Sequence, residues 1–309
     1  MIKFFDYQKG HKFLEECQPG CWVQVEAPDR DDIHYLLHQL QVPEEFLKDI
    51  EDTEERARIE TEDGWRLIIM RVPCRTGDGD ASYTTLPMGI MMKDDIFITV
   101  SYQEIEMIPD FILYRSRKSD YPANQADLLL SLFLSSSVWY LKYLKQINTH
   151  IKLSETNLSK SIRNEELYRL MRIENCLVYF TTSLRSNETL LVKLKISLKN
   201  THTPYDTDLM EDVEIELSQA YSTSNISSDI VSHTMNAFAS VISNNLNIIM
   251  KNLTLVSVIL MIPTLIASFY GMNVENGLEH SLYGFPLIMI LSLILAGFGV
   301  YVIRQKRFF

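Results

Sequence analysis

No glycine occurs between Gly89 and Gly271, and no proline between Pro122 and Pro204. The residues that punctuate regular backbone are thus missing from most of the chain's second half, which excludes a loop-rich or all-β fold there. Cysteine is scarce as well. Cys17, Cys21, Cys74 and Cys176 make no paired Cys-x-x-Cys pattern, and the four-residue spacing of Cys17 and Cys21 has no second close pair to complete a zinc site. Free thiols in a reducing compartment are expected. The histidines His11, His34, His38, His150, His202, His233 and His280 are scattered. A phosphate-binding glycine loop, a nucleophile elbow and a His-Glu-x-x-His motif are all lacking, which argues against an enzyme and against coupling to ATP. No basic region followed by an apolar core opens the chain, so no signal peptide is expected and about the first 240 residues should be cytosolic.

Positive charge is in short supply too. Residues 1–125 hold 25 Asp and Glu against 14 Lys and Arg, and the remainder holds 15 of each, so the excess negative charge lies wholly in the N-terminal part. Nucleic acid is not expected as a partner, because phosphate binding needs clustered Lys and Arg. The acidity is compatible with the attraction of cations, but most acidic proteins are acidic only for solubility.

The 309 residues suffice for one large domain or two modest ones. Residues 21–25, 65–72 and 96–100 are β-branched or aromatic runs of strand length. Residues 29–40 and 43–51 read as helices, with Asp29 as a cap and Pro43 in a first turn. Thr76 to Asp80 reads as a turn. An α/β domain of mixed connectivity follows. Beyond Ala123 the pattern turns helical: 125–160 and 164–200, with a break at Ser161 to Asn164, ended by the Pro204 region. A third helix starts near Asp208, where Asp208 and Glu211 have the spacing of a capping box, and no terminator is read before Gly271. At 1.5 Å per residue this is a rod of about 90 Å, long enough for a stalk, a coiled coil or a membrane span.

Leu253 to Tyr270 and Phe285 to Ile303 are uncharged apolar runs long enough to cross a bilayer. Lys251 precedes the first; Arg304, Lys306 and Arg307 follow the second; the segment between them has no Lys or Arg but carries Glu275 and Glu279. The positive-inside rule then puts both termini in the cytosol and the loop outside. The expected organisation is a cytosolic α/β domain over 1–122, a long helical pair over 123–206 and the cytosolic part of a stalk helix over 207–252. A first transmembrane helix over 253–270, an external loop over 271–284, a second transmembrane helix over 285–303 and a basic cytosolic tail over 304–309 complete it.

One face of the third helix is unusual. Alternate steps of three and four residues from Asn247 meet Met250, Thr254, Ser257, Met261, Thr264, Ser268 and Gly271. Within the span this seam is small or hydroxylated except for Met261, while the other faces carry Leu, Ile, Val and Phe. Such a stripe must face protein or water rather than lipid. Run backward, the seam reads Ser243, Ser240, Asn236, His233, Asp229, Ile226, Ser222, Gln219, Ile215, Asp212 and Asp208. Two readings fit: helices around a narrow water-filled axis, or small-residue packing in a dimer.

Tyr270-Gly271-Met272-Asn273 ends the first span and opens the outer loop. At that place, after so long a helix, the Gly-Met-Asn triplet resembles the signature of the CorA family of magnesium channels. Met250-Lys251, Leu253-Thr254, Met261, Thr264 and Ile266-Ala267 resemble it as well. The resemblance implies a homopentamer in which an α/β cytosolic domain and long helices form a funnel and the first membrane helix of each subunit lines a pore. It implies ion selection at Gly271 and Asn273, flanked by Tyr270 and Met272, with Glu275 and Glu279 at the mouth. Asn247, Met250, Leu253, Thr254, Ser257, Met261, Thr264 and Ser268 would line the path; Leu253 enters only through the resemblance, since it lies off the seam. Magnesium gives up its water reluctantly and prefers oxygen ligands, so neutral oxygens could hold it hydrated and still release it.

Two departures stand out. Many relatives follow the signature with a Met-Pro-Glu-Leu kind of loop, where this chain has Val274-Glu275-Asn276-Gly277-Leu278-Glu279. Relatives also sense cytosolic magnesium through carboxylates between subunits; Asp212 matches one, with Asp208 and Asp229 along the same seam, whereas Asn236 stands where another would be Asp. No cofactor is expected beyond magnesium as cargo and regulatory ligand. Partners would be further copies of the chain, the lipid bilayer of the cytoplasmic membrane and divalent cations. Transport of cobalt, nickel or zinc is the alternative within the superfamily, against which Met272 and the lack of a His/Cys cluster near the pore weigh. A membrane-anchored sensor or scaffold is the alternative outside it.

Overall fold

Runs of β-branched, aromatic and long apolar residues form the strands of the N-terminal part. The computed structural model describes residues 1–77, 82–118, 121–160, 164–272, 277 and 283–305. Among them the strands are β1 (Ile2–Asp6), β2 (Lys12–Leu14), β3 (Trp22–Glu26), β4 (Arg58–Glu62), β5 (Trp65–Arg75), β6 (Tyr83–Lys93) and β7 (Ile96–Ser101). The helices are α1 (Arg30–His38), α2 (Glu44–Glu51), α3 (Met107–Lys118), α4 (Gln125–Lys160), α5 (Asn164–Asn200), α6 (Thr207–Tyr270) and α7 (Gly284–Gln305). The chain divides into two units, Met1–Met235 and Asn236–Phe309, with α6 contributing to both.

In the first unit the strands form one sheet in the order β2-β1-β3-β7-β6-β5-β4. Only β3 and β7 pair in parallel, so the connectivity is mixed as expected. One sheet face is covered by α1 and α2, whose Leu36, Phe46, Leu47 and Ile50 join Val23, Val25, Leu67, Ile69 and Val100 in one buried core. The alternate residues of β5, Ile68, Met70 and Val72, are equally buried, and α4 and α5 pack on β5. Gly89 in β6 is there for space: a β-carbon would overlap the side chain of Ile50 in α2.

Expected strands 21–25, 65–72 and 96–100 appear as β3, β5 and β7, while β1, β2, β4, β6 and α3 lie outside that reading. Strand β6 hid behind Pro87, which looks like a breaker. Its pairing with β7 stops at Gly89–Val100, so Pro87 withholds an N–H only where no neighbouring strand remains to receive it. Pro73 is tolerated in β5 for the same reason, since β4 ends at Arg58 opposite Ile69.

Beyond that end, Asn187 of α5 takes over from β4. Its side-chain oxygen accepts from the Arg71 backbone N–H at 3.0 Å and its amide donates to the Arg71 carbonyl at 2.7 Å. The buried Arg71 guanidinium donates to the carbonyls of Thr53, Glu55 and Thr85. Burial pulls its pKa below the ordinary value, although an arginine stays charged at any physiological pH.

Helix α1 starts as expected. Asp29 accepts from the Asp32 N–H at 2.8 Å, and the Asp32 carboxylate accepts from the Asp29 N–H at 3.1 Å. Two expected starts are corrected. Pro43 sits before α2 rather than in its first turn, with an extended ψ of 132° that leaves Glu44 as the first helical residue. The cap of α6 is Asp206 and not the Asp208–Glu211 pair: Asp206 accepts from the N–H groups of Asp208 and Leu209 at 2.9 and 3.1 Å. With Thr207 as the first helical residue, Asp208 is already inside the helix and cannot reach back to cap it. The expected turn at 76–80 is described only at Thr76 and Gly77, and the expected break at Ser161 to Asn164 only at Asn164, where α5 begins.

The first part of α6 buries Met210, Val213, Leu217, Ala220, Ser224, Ser227 and Val231, a row at alternating three- and four-residue steps. Ser224 bonds Thr181 of α5 at 2.8 Å and Ser227 donates to Asn148 of α4 at 2.9 Å, so this row beds α6 between those two helices.

In the second unit, α6 from Asn236 to Tyr270 and α7 are, among the described residues, the two helices long and apolar enough to cross a membrane. Pro263 lies inside α6, and the helix runs on through it, a residue the sequence reading passed over. Among the described side chains of α7 the most buried are small, Ser292 and Ala296, and Ile262 of α6 approaches Gly299 so closely that a β-carbon there would lie 3.3 Å from it.

Candidate functional site

Helix α6 in the second unit presents three kinds of surface. Leu255, Val258, Ile259, Ile262 and Ile266 are half-buried on the side where Ile262 meets α7. Val256, Leu260, Leu265 and Phe269 are more than half exposed and purely apolar. The third surface is the seam. Asn236, Ser240, Ser243, Asn247, Met250, Thr254, Ser257, Met261, Thr264, Ser268 and Gly271 are every one exposed. The single chain therefore uses none of the seam for its own packing. An exposed apolar sector suits hydrocarbon; an exposed hydroxylated sector does not.

The hydroxyls are oriented by the helix itself. Thr254 donates to the Met250 carbonyl at 2.8 Å, Ser257 to Leu253 at 2.9 Å and Thr264 to Leu260 at 2.7 Å. Each proton is spent on the preceding turn, so what remains to face outward is oxygen lone pairs. Such a row accepts hydrogen bonds and offers none, which matches the water shell of a cation, whose protons point away from the ion. Sequence reasoning had the residue types and their face but not this polarity, which depends on side-chain rotamers.

At the C-terminal end of α6 the Gly271 N–H donates to the Ala267 carbonyl at 2.9 Å, continuing the helical ladder past Tyr270. A β-carbon on Gly271 would come within 3.3 Å of that carbonyl, a tight but not forbidden approach. Met272 is exposed and Tyr270 half-buried. Asn273, Glu275 and Glu279, expected at the ion entry, lie outside the described residues. Leu253, off the seam as noted, is exposed beside it.

In the first unit Asp208, Asp212 and Asp229 are exposed on the face of α6 opposite its buried row. Among the described residues no three His, Cys, Asp or Glu side chains gather as a metal site within one chain. The four cysteines are free, with the sulfurs of Cys17 and Cys21 3.3 Å apart.

Known proteins resemble the chain over nearly its whole length. The family model described as CorA-like Mg2+ transporter protein matches residues 18–306. The cobalt/magnesium transport protein CorA of Methanocaldococcus jannaschii is 25% identical over 92% of this chain and 90% of its own. The magnesium transport protein CorA of Escherichia coli is 26% identical over 95% of this chain and 94% of its own. In fold, the complete structure of the M. jannaschii CorA magnesium transporter superposes with a TM-score of 0.83 at 23% identity, covering 99% of this chain and 98% of that one. With its α/β domain, long helices and two C-terminal apolar helices, the chain belongs to the CorA-like Mg2+ transporter family.

Proposed function

We propose that five copies of this chain form a passive Mg2+ channel in the cytoplasmic membrane, with the seam of α6 from each copy turned toward a common axis. The observation that carries this reading is the unused, exposed, lone-pair-bearing row of Thr254, Ser257 and Thr264 within an otherwise apolar span. Five such rows around an axis give stacked rings of acceptors for a hydrated ion, with Met250 and Met261 as narrower apolar rings. The Gly271 carbonyl and the Asn273 amide at the mouth supply neutral oxygens, strong enough to attract Mg2+ and weak enough to let it go. A negative-inside potential drives entry by about 4.6 kcal/mol per 100 mV for a divalent ion, twice the single-charge value. Lys251 before the first span and Arg304, Lys306 and Arg307 after the second, with no Lys or Arg in the segment between the spans, support cytosolic termini by the positive-inside rule.

Magnesium flux into proteoliposomes containing only this chain, at a set potential, tests the reading. Uptake that grows with negative potential, and that Co2+ and Zn2+ inhibit only at higher concentration, is expected. Zn2+ or Co2+ passing while Mg2+ does not would make this a channel for a softer ion, and no flux of any would leave an anchored scaffold.

Regulation by cytosolic Mg2+ is part of the same proposal. Asp208, Asp212 and Asp229 face outward, so a metal bound there takes further ligands from a neighbouring copy. Bound metal neutralises carboxylates that otherwise repel one another across the ring. Asp212→Ala should shift inhibition to higher Mg2+ in patch recordings, and Asn236→Asp should shift it lower, because ligand charge sets affinity for hard cations. Unchanged midpoints in both variants would reduce Asp208 and Asp212 to partners of the helix dipole, worth about 0.3–1 kcal/mol.

A further inference from the structure

Helix α1 brings together two histidines that look scattered in the sequence. His34 and His38 stand one turn apart, with ring centroids 4.3 Å from each other and planes inclined at 50°. Both are exposed, and among the described residues neither ring makes a hydrogen bond or an ion pair. Two imidazoles that bind one metal ion through nitrogens at about 2.1 Å in adjacent positions have centroids about 4.5 Å apart at a right angle and about 5.2 Å apart at a tetrahedral one. The pair therefore already stands near the separation that chelation requires. On the preceding turn Arg30 and Asp31 are exposed and of opposite sign. His38 lies in the last turn of α1, where the helix dipole favours positive charge.

We propose that His34 and His38 form a cytosol-facing site for one borderline transition-metal dication, of the Co2+, Ni2+ or Zn2+ class. Imidazole nitrogen suits these ions, while Mg2+ prefers oxygen and keeps its water. The site thus selects against the ion that the lone-pair row of α6 suits, and it shares no residue with that row. Among the described residues no third His, Cys, Asp or Glu gathers with the pair, so water fills the remaining coordination positions and the ion exchanges readily. Such a site lets the α/β part of the chain register softer ions in the presence of abundant Mg2+.

Calorimetric titration of the full-length protein in detergent with Ni2+, in a large excess of Mg2+, tests this. One equivalent of Ni2+ per chain should bind despite the Mg2+. His34→Gln and His38→Gln should each weaken that equivalent by about tenfold or more, since losing a residue that merely supports a metal ligand already costs 10–100-fold. His202→Gln, an exposed histidine elsewhere, should leave it intact. An unchanged isotherm in the His34→Gln/His38→Gln double variant, or Ni2+ displaced by comparable Mg2+, overturns the proposal. Wild-type protein gives an answer free of any folding defect: Ni2+ should protect His34 and His38 from carbethoxylation, read by mass spectrometry, and equal modification with and without Ni2+ overturns it as well.

Discussion

Helix α6 is one helix with two kinds of surface. From Thr207 to Met235 it buries seven residues in a regular row and exposes mostly polar side chains, among them Asp208, Glu211, Asp212, Gln219 and Asp229. From Asn236 to Tyr270 it buries none, and Leu246, Ile249, Leu253, Val256, Leu260, Leu265 and Phe269 are each more than half exposed. In the first part, hydropathy marks the face turned inward, and water solvates the rest. In the second, so large an exposed apolar surface is stable only against hydrocarbon or another chain. Exposure therefore changes meaning along the helix: a polar exposed face is unremarkable below residue 235 and demands an occupant above it.

The contrast breaks most sharply at its C-terminal end. Gly271→Ala and Asn273→Ala should each abolish Mg2+ uptake in proteoliposomes while the oligomer survives detergent chromatography. The added methyl of Gly271→Ala crowds only the Ala267 carbonyl, so a folding defect is not the expected cause. Near-normal uptake by both variants would remove the signature from the mechanism.

A milder test separates the two exposed sectors of the span. Thr264→Val keeps the side-chain shape and deletes the outward lone pairs, whereas Leu260→Val trims the apolar sector. Uptake should fall on the order of a few-fold in the first and hold in the second, because only the first changes what a passing ion's waters meet. Equal effects would make the seam a packing surface.

On the other side of the comparison, damage to the first unit should cost stability and not selectivity. Asn187→Ala leaves the Arg71 N–H without its partner, although Tyr140 still donates to the Arg71 carbonyl at 3.1 Å. A buried donor left unmade costs about 1–3 kcal/mol, which lowers Tm by about 2–4 °C per kcal/mol in a unit of this size. All three tryptophans, Trp22, Trp65 and Trp139, belong to Met1–Met235, so their fluorescence reports the melting of that unit. Unaltered melting would mean that water replaces the Asn187 amide.

How much of this was legible in the sequence depends on the range of the forces involved. The long helices, the two apolar spans and the Asp29 cap rest on local spacing and were readable. The seam was readable as well, since a three-four step needs only that the segment be helical. Strand β6 was not: Pro87 is allowed there because β7 stops short, and Gly89 is there because Ile50, from a helix 39 positions earlier, occupies the space. Asn187 completes β5 from 116 residues away, and no local signal announces it. His34 and His38 carried their signal in their spacing on an expected helix, and counting them among scattered histidines overlooked it.

The smallest expected effect lies at Asp127, in the first turn of α4. Its carboxylate accepts from the Asp206 N–H at 2.8 Å and so ties the start of α4 to the cap of α6. The side chain is almost fully enclosed, and burial raises its pKa above the ordinary carboxylate value, with the Asp206 N–H acting in the opposite direction. A folded-state pKa above the unfolded one means that the folded chain holds this proton more tightly. The resulting stabilisation is complete below the unfolded value of about 3.9 and is lost as pH rises through the raised folded value. At neutral pH the ion is therefore buried at a cost, which its favourable place at a helix N-terminus offsets by only about 0.3–1 kcal/mol. Asp127→Asn keeps an oxygen for the Asp206 N–H and removes the charge. The variant should match the wild type near pH 3.5, close to the unfolded value of about 3.9, and exceed it at pH 7.5 by no more than about 1 kcal/mol. Tryptophan-monitored melting at the two pH values checks this. A variant less stable at pH 7.5 would show that the helix dipole outweighs burial at Asp127.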